Sequence, residues 1–149
     1  MDKNFPIKLL RMVDNMFFVY ENLTKPLCSE MGLPQTAYDI LLFVYNHPDF
    51  ATAKDIYSIR KIKPSLLSFH IDRLVADGYL IRQNVEGDRR KVQLICTDKA
   101  NKYMQKGAHL QCQYGQLMTE GLTKEQLDTF KECLMCIDKN AKKFSSQKD

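Results

Sequence analysis

The chain of 149 residues contains no tryptophan, only three histidines and only six glycines. No stretch reaches the roughly 18 consecutive apolar residues of a membrane span, and no apolar signal region opens the chain, so we expect a cytoplasmic protein without a membrane partner. The sequence has no Gly-rich phosphate loop, no G-x-S-x-G turn and no H-E-x-x-H zinc motif. These absences predict that the chain is not an enzyme and uses no cofactor or metal.

The cysteines are few and lack the spacing of a small disulfide-bonded domain. Their odd number favours reduced thiols over disulfides. Cys133 and Cys136 share a face of a predicted helix, where such a pair can be redox active, bind a metal or simply pack against a neighbouring helix; packing is the favoured interpretation. The complete set is Cys28, Cys96, Cys112, Cys133 and Cys136.

Positive charge is concentrated in one part of the chain. From Lys54 to Lys91 there are nine Lys and Arg residues against five Asp and Glu residues, a net charge of +4. The whole chain also has a net charge of +4, so the remainder is neutral. A local excess of positive charge is typical of a surface that binds a polyanion, and we predict double-stranded DNA as the partner.

The apolar periodicity predicts a mainly α-helical chain with six helices and one small β-hairpin. The first helix carries two apolar stripes, which indicates burial on both sides and therefore a subunit interface. Ile56 and Ile59 are the expected buried residues of the third helix. The predicted helices span about 6–30, 34–46, 53–61, 64–76, 98–120 and 124–144, and the predicted strands 79–85 and 91–96 flank the charged turn EGDRR.

The third and fourth helices lie close enough in sequence to form a helix-turn-helix, whose second helix enters the major groove of DNA. If Leu67, Ile71 and Leu74 face the core, the opposite face can reach base edges and thymine methyl groups. In the alternative, the helix is rotated and Leu66 and Phe69 belong to the core. The outward-facing residues predicted to contact DNA are Pro64, Ser65, Leu66, Ser68 and Phe69.

Four cations near these two helices are expected to bind phosphates, which adds affinity and salt dependence without sequence information. They are Arg60, Lys61, Lys63 and Arg73. His70 lies on the inner side of the fourth helix, where we expect a hydrogen-bonded structural histidine.

The order of elements, together with the segments DRLVADGYLIR, GDRRKVQL, TDKA and GLTKEQLDTF, resembles the MarR family of winged-helix bacterial transcription regulators. The resemblance covers nearly the whole chain. It implies a single MarR-like chain over 1–149, with a winged DNA-binding lobe at 34–96. It also implies a homodimer formed through helices within 5–30 and 98–144.

The resemblance further implies a role for the hairpin tip. Arg90 is the third residue of the family's D-x-R motif and would enter the minor groove, held extended by a hydrogen bond to Asp88. Arg89 and Lys91 would be available for phosphates. Two such lobes about one helical turn apart, ~34 Å, predict a pseudo-palindromic operator and a regulator, with repression as the expected mode.

The sequence departs from the family pattern at two informative positions. The helix-turn-helix turn, which usually carries glycine, contains Ile59-Arg60-Lys61-Ile62, so a different turn shape is expected. Met16 stands where some peroxide-sensing members have cysteine, which argues against that route of redox sensing.

The signal that controls the chain stays open in the sequence. A small-molecule effector would bind between the lobe and the dimer helices, with Met16, Tyr20, Tyr38 and Tyr114 as candidate pocket residues. The alternatives are a thiol-based redox-responsive regulator and a winged-helix module that binds proteins instead of DNA. The operator sequence, the regulated genes and the effector cannot be derived from these residues.

Overall fold

The computed structural model describes residues 3–49 and 51–145. It confirms the predicted fold class, a mainly helical chain with one hairpin, and none of the described helices is long and apolar enough to cross a membrane. The elements in chain order are α1 (Phe5–Met31), α2 (Gln35–Asn46), α3 (Ala53–Arg60), α4 (Pro64–Ala76), β1 (Leu80–Val85), β2 (Asp88–Cys96), α5 (Asp98–Thr119) and α6 (Lys124–Ser145).

The chain forms two compact units, of which the first ends at Tyr114 and the second begins at Gly115, so that α5 contributes to both. The first unit contains α1 to β2 and the hydrophobic core. In the second unit, α6 begins at a capping box in which the Thr123 hydroxyl accepts from the Gln126 N–H and the Gln126 side chain accepts from the Thr123 N–H. These two bonds satisfy backbone N–H groups that would otherwise lack a partner at the start of α6.

α2 is the central helix of the first unit, because seven of its twelve residues are buried. Apolar residues of α4 and of the hairpin pack around it. On the α5 side, a Cβ at Gly107 would lie 2.8 Å from the Tyr38 hydroxyl oxygen, so the glycine allows α5 to approach α2 closely. The buried residues contributed by α4 and the hairpin are Leu67, Ile71, Leu74, Leu80 and Leu94.

The hairpin β1–β2, called the wing below, pairs Leu80 with Cys96 at its base and Val85 with Asp88 at its tip. The chain reverses at Glu86-Gly87, where Gly87 adopts a φ of +82° that a glycine takes without strain. The prediction of a five-residue turn before Lys91 was therefore wrong. β2 begins at Asp88 because a glycine with positive φ permits a two-residue turn.

α3 begins at a capping box, in which the Thr52 side chain accepts from the Asp55 N–H and the Asp55 carboxylate accepts from the Thr52 N–H. Ile56 is buried as expected, but Ile59 is 59% exposed, which corrects that prediction. α3 has only eight residues, and Ile59 lies in its last turn, away from the core.

The turn between α3 and α4 keeps a compact form without glycine. Lys61 adopts the left-handed conformation, with a φ of +54° and a ψ of +29°, and its N–H donates to the Tyr57 carbonyl. A lysine can occupy the left-handed region at a cost of roughly 1 kcal/mol, and a turn that differs from the glycine-containing one of the family stays a prediction.

Replacing Lys61 by glycine removes this backbone strain. We expect Lys61→Gly to unfold at a higher urea concentration than Lys61→Ala, by about 1 kcal/mol in free energy of unfolding. Both variants lose the same side-chain charge, so the difference between them isolates the left-handed conformation. Equal stability of the two variants would contradict the strain.

His70 is buried on α4, and its Nδ1 has no hydrogen-bond partner among the described residues, which corrects the expectation of a fully bonded structural histidine. Burial lowers the pKa of the His70 imidazole, and the positive charge of Arg73 lowers it further. The folded chain therefore disfavours the charged imidazole.

This lowered pKa predicts how stability depends on pH. The unfolded chain binds the His70 proton more readily than the folded chain, so stability is complete above about pH 6.5 and falls as the pH decreases below it. We expect His70→Gln to reduce this loss in urea titrations between pH 7 and pH 5. The exposed His109→Gln is the matched control, and an equal pH dependence in both variants would refute the assignment to His70.

Candidate nucleic-acid interface

α4 presents the predicted face to solvent. Leu67, Ile71 and Leu74 are buried, whereas Leu66 and Phe69 are 44% and 57% exposed. The alternative of a rotated helix is therefore wrong. Two large apolar side chains exposed one turn apart on a short helix are available for contact with apolar base edges.

The N-terminus of α4 is exposed and open to a ligand. Lys63 is the N-cap residue and makes no side-chain capping hydrogen bond, and Pro64 occupies the first turn. Ser65 and Ser68 are exposed in the same region. Free N–H groups and the positive end of the helix dipole favour phosphate or base-edge acceptors at this end.

The four cations predicted to bind phosphates fall into two groups. Lys61 and Lys63 are exposed, and Arg73 lies on the α4 surface with its Nε 3.7 Å from Asp77. An exposed pair of this kind contributes about 0–1 kcal/mol, so Arg73 can exchange Asp77 for a phosphate at little cost. Arg60 differs, because its guanidinium lies 2.8 Å from Asp39, whose side chain is only 14% exposed.

Asp39 organises a polar network that the sequence analysis did not identify. One carboxylate oxygen accepts from the Tyr20 hydroxyl and from the Gln35 amide, each at 3.0 Å, and the other faces Arg60. Burial and the Asp39 charge together raise the pKa of the Tyr20 hydroxyl, which therefore stays a neutral donor. The network joins α1, α2 and the end of α3, where Arg60 is its member, and the predicted contact of Arg60 with phosphate stays a prediction.

A weak signal for this network was present in the sequence. Asp39 is the one charged residue within the apolar run of α2, between Tyr38 and Ile40. A carboxylate at such a position needs partners when the helix is buried. Nothing local indicated that the partner would be Arg60, because the two residues belong to different helices.

The wing tip carries exposed Arg90 and Lys91. Asp88 accepts a hydrogen bond at 3.0 Å from the Arg90 backbone N–H, and its second oxygen lies 4.0 Å from the Lys91 Nζ. The predicted contact between Asp88 and Arg90 therefore involves the backbone of Arg90, where we expected its side chain. The prediction for the Arg89 side chain lies outside what the structure describes.

The wing is also joined to α4 by an ion pair that no local pattern indicated. The Arg82 guanidinium of β1 lies 2.5 Å from the Asp72 carboxylate of α4, and both side chains are exposed. The pair neutralises the one acidic side chain on the outer face of α4. The surface between α4 and the wing is therefore more positive than the sequence of α4 alone suggests.

The four candidate pocket residues do not form a cavity together. The rings of Tyr20 and Tyr114 meet edge to face at 5.5 Å, and the Tyr114 hydroxyl donates to the Met16 carbonyl. Tyr38 is entirely buried, so it is a core residue, which corrects its assignment. Two cavities of about 540 Å³ border α1. Cys28 lines one of them and Leu23 lines the other, and none of the four candidate residues lines either.

The five cysteines are free thiols of two kinds. Burial raises the pKa of the Cys28 thiol to about 11 and that of the Cys96 thiol to about 12, which keeps both protonated and unreactive near neutral pH. Cys112, Cys133 and Cys136 are exposed. The raised pKa values argue against redox sensing by Cys28 or Cys96.

Comparison with known proteins agrees with this description. Residues 31–91 match the sequence model of the MarR family. No curated protein sequence matches the chain.

Several solved structures have the same fold. A MarR transcriptional regulator from Methanosarcina mazei is 18% identical, with a TM-score of 0.74 over 91% of this chain and 97% of that chain. A MarR protein from Peptoclostridium difficile is 18% identical, with a TM-score of 0.76 over 95% and 89%. A MarR family transcriptional regulator from Listeria monocytogenes, complexed with 26mer DNA, is 16% identical, with a TM-score of 0.76 over 88% and 87%. Residues 31–91 thus match the MarR family model, and the chain has the winged-helix fold of these solved MarR structures.

Proposed function

We propose that this chain is a cytoplasmic, sequence-specific, double-stranded DNA-binding transcriptional regulator that acts as a homodimer, most simply as a repressor. The observation that carries the proposal is the α4 surface, where exposed Leu66, Phe69 and two serines lie beside an open helix N-terminus. The Listeria relative, which was solved in complex with DNA, supports the same use of the fold.

The proposed roles differ along this surface. Ser65, Ser68 and Phe69 contact base edges in the major groove, Arg90 enters the minor groove, and the remaining cations bind phosphates. Arg60 contributes by holding the end of α3 against Asp39. Release by a small ligand stays a prediction, because the four proposed pocket residues line neither cavity along α1.

The proposed homodimer rests on apolar surface that a single chain leaves open. α6 has 22 residues and no buried residue, yet Phe130, Leu134 and Ile137 recur on one face at helical spacing. In the first unit, Ile7, Leu10, Phe17 and other apolar residues of α1 are exposed in the same way. Amphipathic helices with an uncovered apolar face need a partner, and a second copy supplies the same face.

The first test is DNA binding itself. We expect the protein to select a discrete set of double-stranded fragments from its source genome, and the affinity for a selected fragment to fall about 10³- to 10⁵-fold from 50 to 200 mM salt if 6–10 phosphates are contacted. Arg90→Ala should cost about 1–3 kcal/mol, whereas Lys63→Ala should weaken binding to all sequences alike and lower the salt slope by about one.

Mobility-shift titrations would measure both effects, with circular dichroism as the control for folding. A chain that selects no fragment, or that binds with little salt dependence, would be a protein-interaction module and the proposal would be refuted. Unchanged affinity of a folded Arg90→Ala variant would remove the wing from the interface.

The second test is the oligomeric state. Leu134→Glu places a charge in the apolar face of α6, and we expect the mass measured by light scattering to fall from twice the 17.4 kDa chain to one chain. Met135→Glu is the matched control, because residue 135 points away from that face and should leave the dimer intact. A wild-type monomer, or a dimer that survives Leu134→Glu, would exclude this interface.

A further inference from the structure

The wing is fastened to the rest of the lobe at two levels, and at the second of these Arg82 of β1 also forms its ion pair with Asp72 of α4. At its base, the Thr97 hydroxyl donates to the Gly78 carbonyl at 2.7 Å and the Thr97 N–H donates to the Tyr79 carbonyl. Halfway along, β2 meets the segment that precedes α3. There the Leu94 N–H donates to the Ala51 carbonyl at 2.8 Å, and Gln93 forms a single β-bridge with Thr52.

Gln93 adds a side-chain bond to this second level. Its amide Nε2 donates to the Pro48 carbonyl oxygen at 2.5 Å, across 45 residues of sequence. Pro48 follows the end of α2, and Thr52 is the N-cap of α3, held by its capping box with Asp55. The bond therefore connects the wing to the loop between α2 and α3, directly before the helix-turn-helix.

A cleft of about 620 Å³ lies between the start of α3, with Ala53 and Lys54, and the outer part of the wing, with Val85 and Arg90. Gln93 and Thr52 both line this cleft and are paired by the β-bridge. The register of the hairpin shifts in the same outer part, between Asn84 and Val85.

These contacts determine what holds the wing tip in place. Arg90 lies three residues beyond Gln93, about 10 Å along an extended strand. A two-stranded hairpin is only marginally stable by itself in water, so the direction of its outer part depends on the last point at which it is fastened. In the described residues of β2, that point is Gln93.

We propose that Gln93 is a positioning residue, which sets the angle of the wing through its bond to the Pro48 carbonyl and thereby places Arg90 for the minor groove. This role rests on the proposed function. Gln93 itself need not touch DNA. Without the hydrogen bond from Gln93, the free wing would adopt a wider range of orientations. DNA binding would have to restrict that range again, so affinity would fall although no contact with DNA is lost.

The test is a double-mutant cycle of Gln93→Leu and Arg90→Ala, measured by fluorescence anisotropy on a double-stranded fragment that the wild-type protein selects. Leucine keeps the bulk of the side chain and cannot donate a hydrogen bond. We expect Gln93→Leu to weaken binding about 2- to 10-fold in the Arg90 background, the loss that one neutral hydrogen bond accounts for. In the Arg90→Ala background we expect no further loss.

The matched control is Gln83→Leu. Gln83 pairs with Gln93 across the hairpin and is exposed, so the same substitution on the same rung should leave affinity unchanged.

Hydroxyl-radical footprinting adds a readout that general destabilisation would not produce. Gln93→Leu should weaken minor-groove protection at the wing, and methylation protection of major-groove guanines opposite α4 should stay unchanged. Thermal unfolding of each variant gives its folded fraction.

The outcomes separate the two proposals. An equal loss from Gln93→Leu with and without Arg90, or an equal loss from Gln83→Leu, would overturn the positioning role while DNA binding stands. A wild-type protein that selects no fragment would overturn the proposed function and the positioning role with it.

Discussion

Burial of α2 is the constraint on which the other features of the lobe depend. Because most of α2 is covered by α1, α4 and β2, with α5 approaching at Gly107, each of these elements must turn an apolar or small residue towards it. For α4 this requirement leaves one rotation, with Leu67, Ile71 and Leu74 inward and Phe69 outward. Each buried aliphatic side chain contributes about 1.5–3 kcal/mol, far more than any surface ion pair, so core packing fixes the DNA-facing side of α4.

The cations of the lobe differ in role according to how deeply the acidic residues they face are buried. Arg73 and Lys91 face acidic residues across exposed pairs that are weak and easily exchanged for phosphate. Arg60 faces Asp39 within a half-buried network, where loss of one partner would leave the other charge poorly solvated. The same residue type in the same basic segment can therefore bind the ligand or hold the framework, and burial decides between the two.

The sequence predicted most of the secondary structure, because its signals are local. Helical periodicity indicated six helices and the face of α4 that is buried. Errors arose where backbone conformation depends on neighbours. The two-residue turn at Gly87 is one example, because the same charged segment is locally compatible with a longer turn.

The chain by itself thus determined where its helices and wing lie, which face of α4 is exposed, and where its positive charge is concentrated. Only the tertiary structure decided which side chains work together. Arg60 with Asp39, Arg82 with Asp72, and Gln93 with the Pro48 carbonyl join residues of different elements, and no local periodicity links them. Such pairs depend on how helices pack, because packing brings together atoms that the sequence keeps apart.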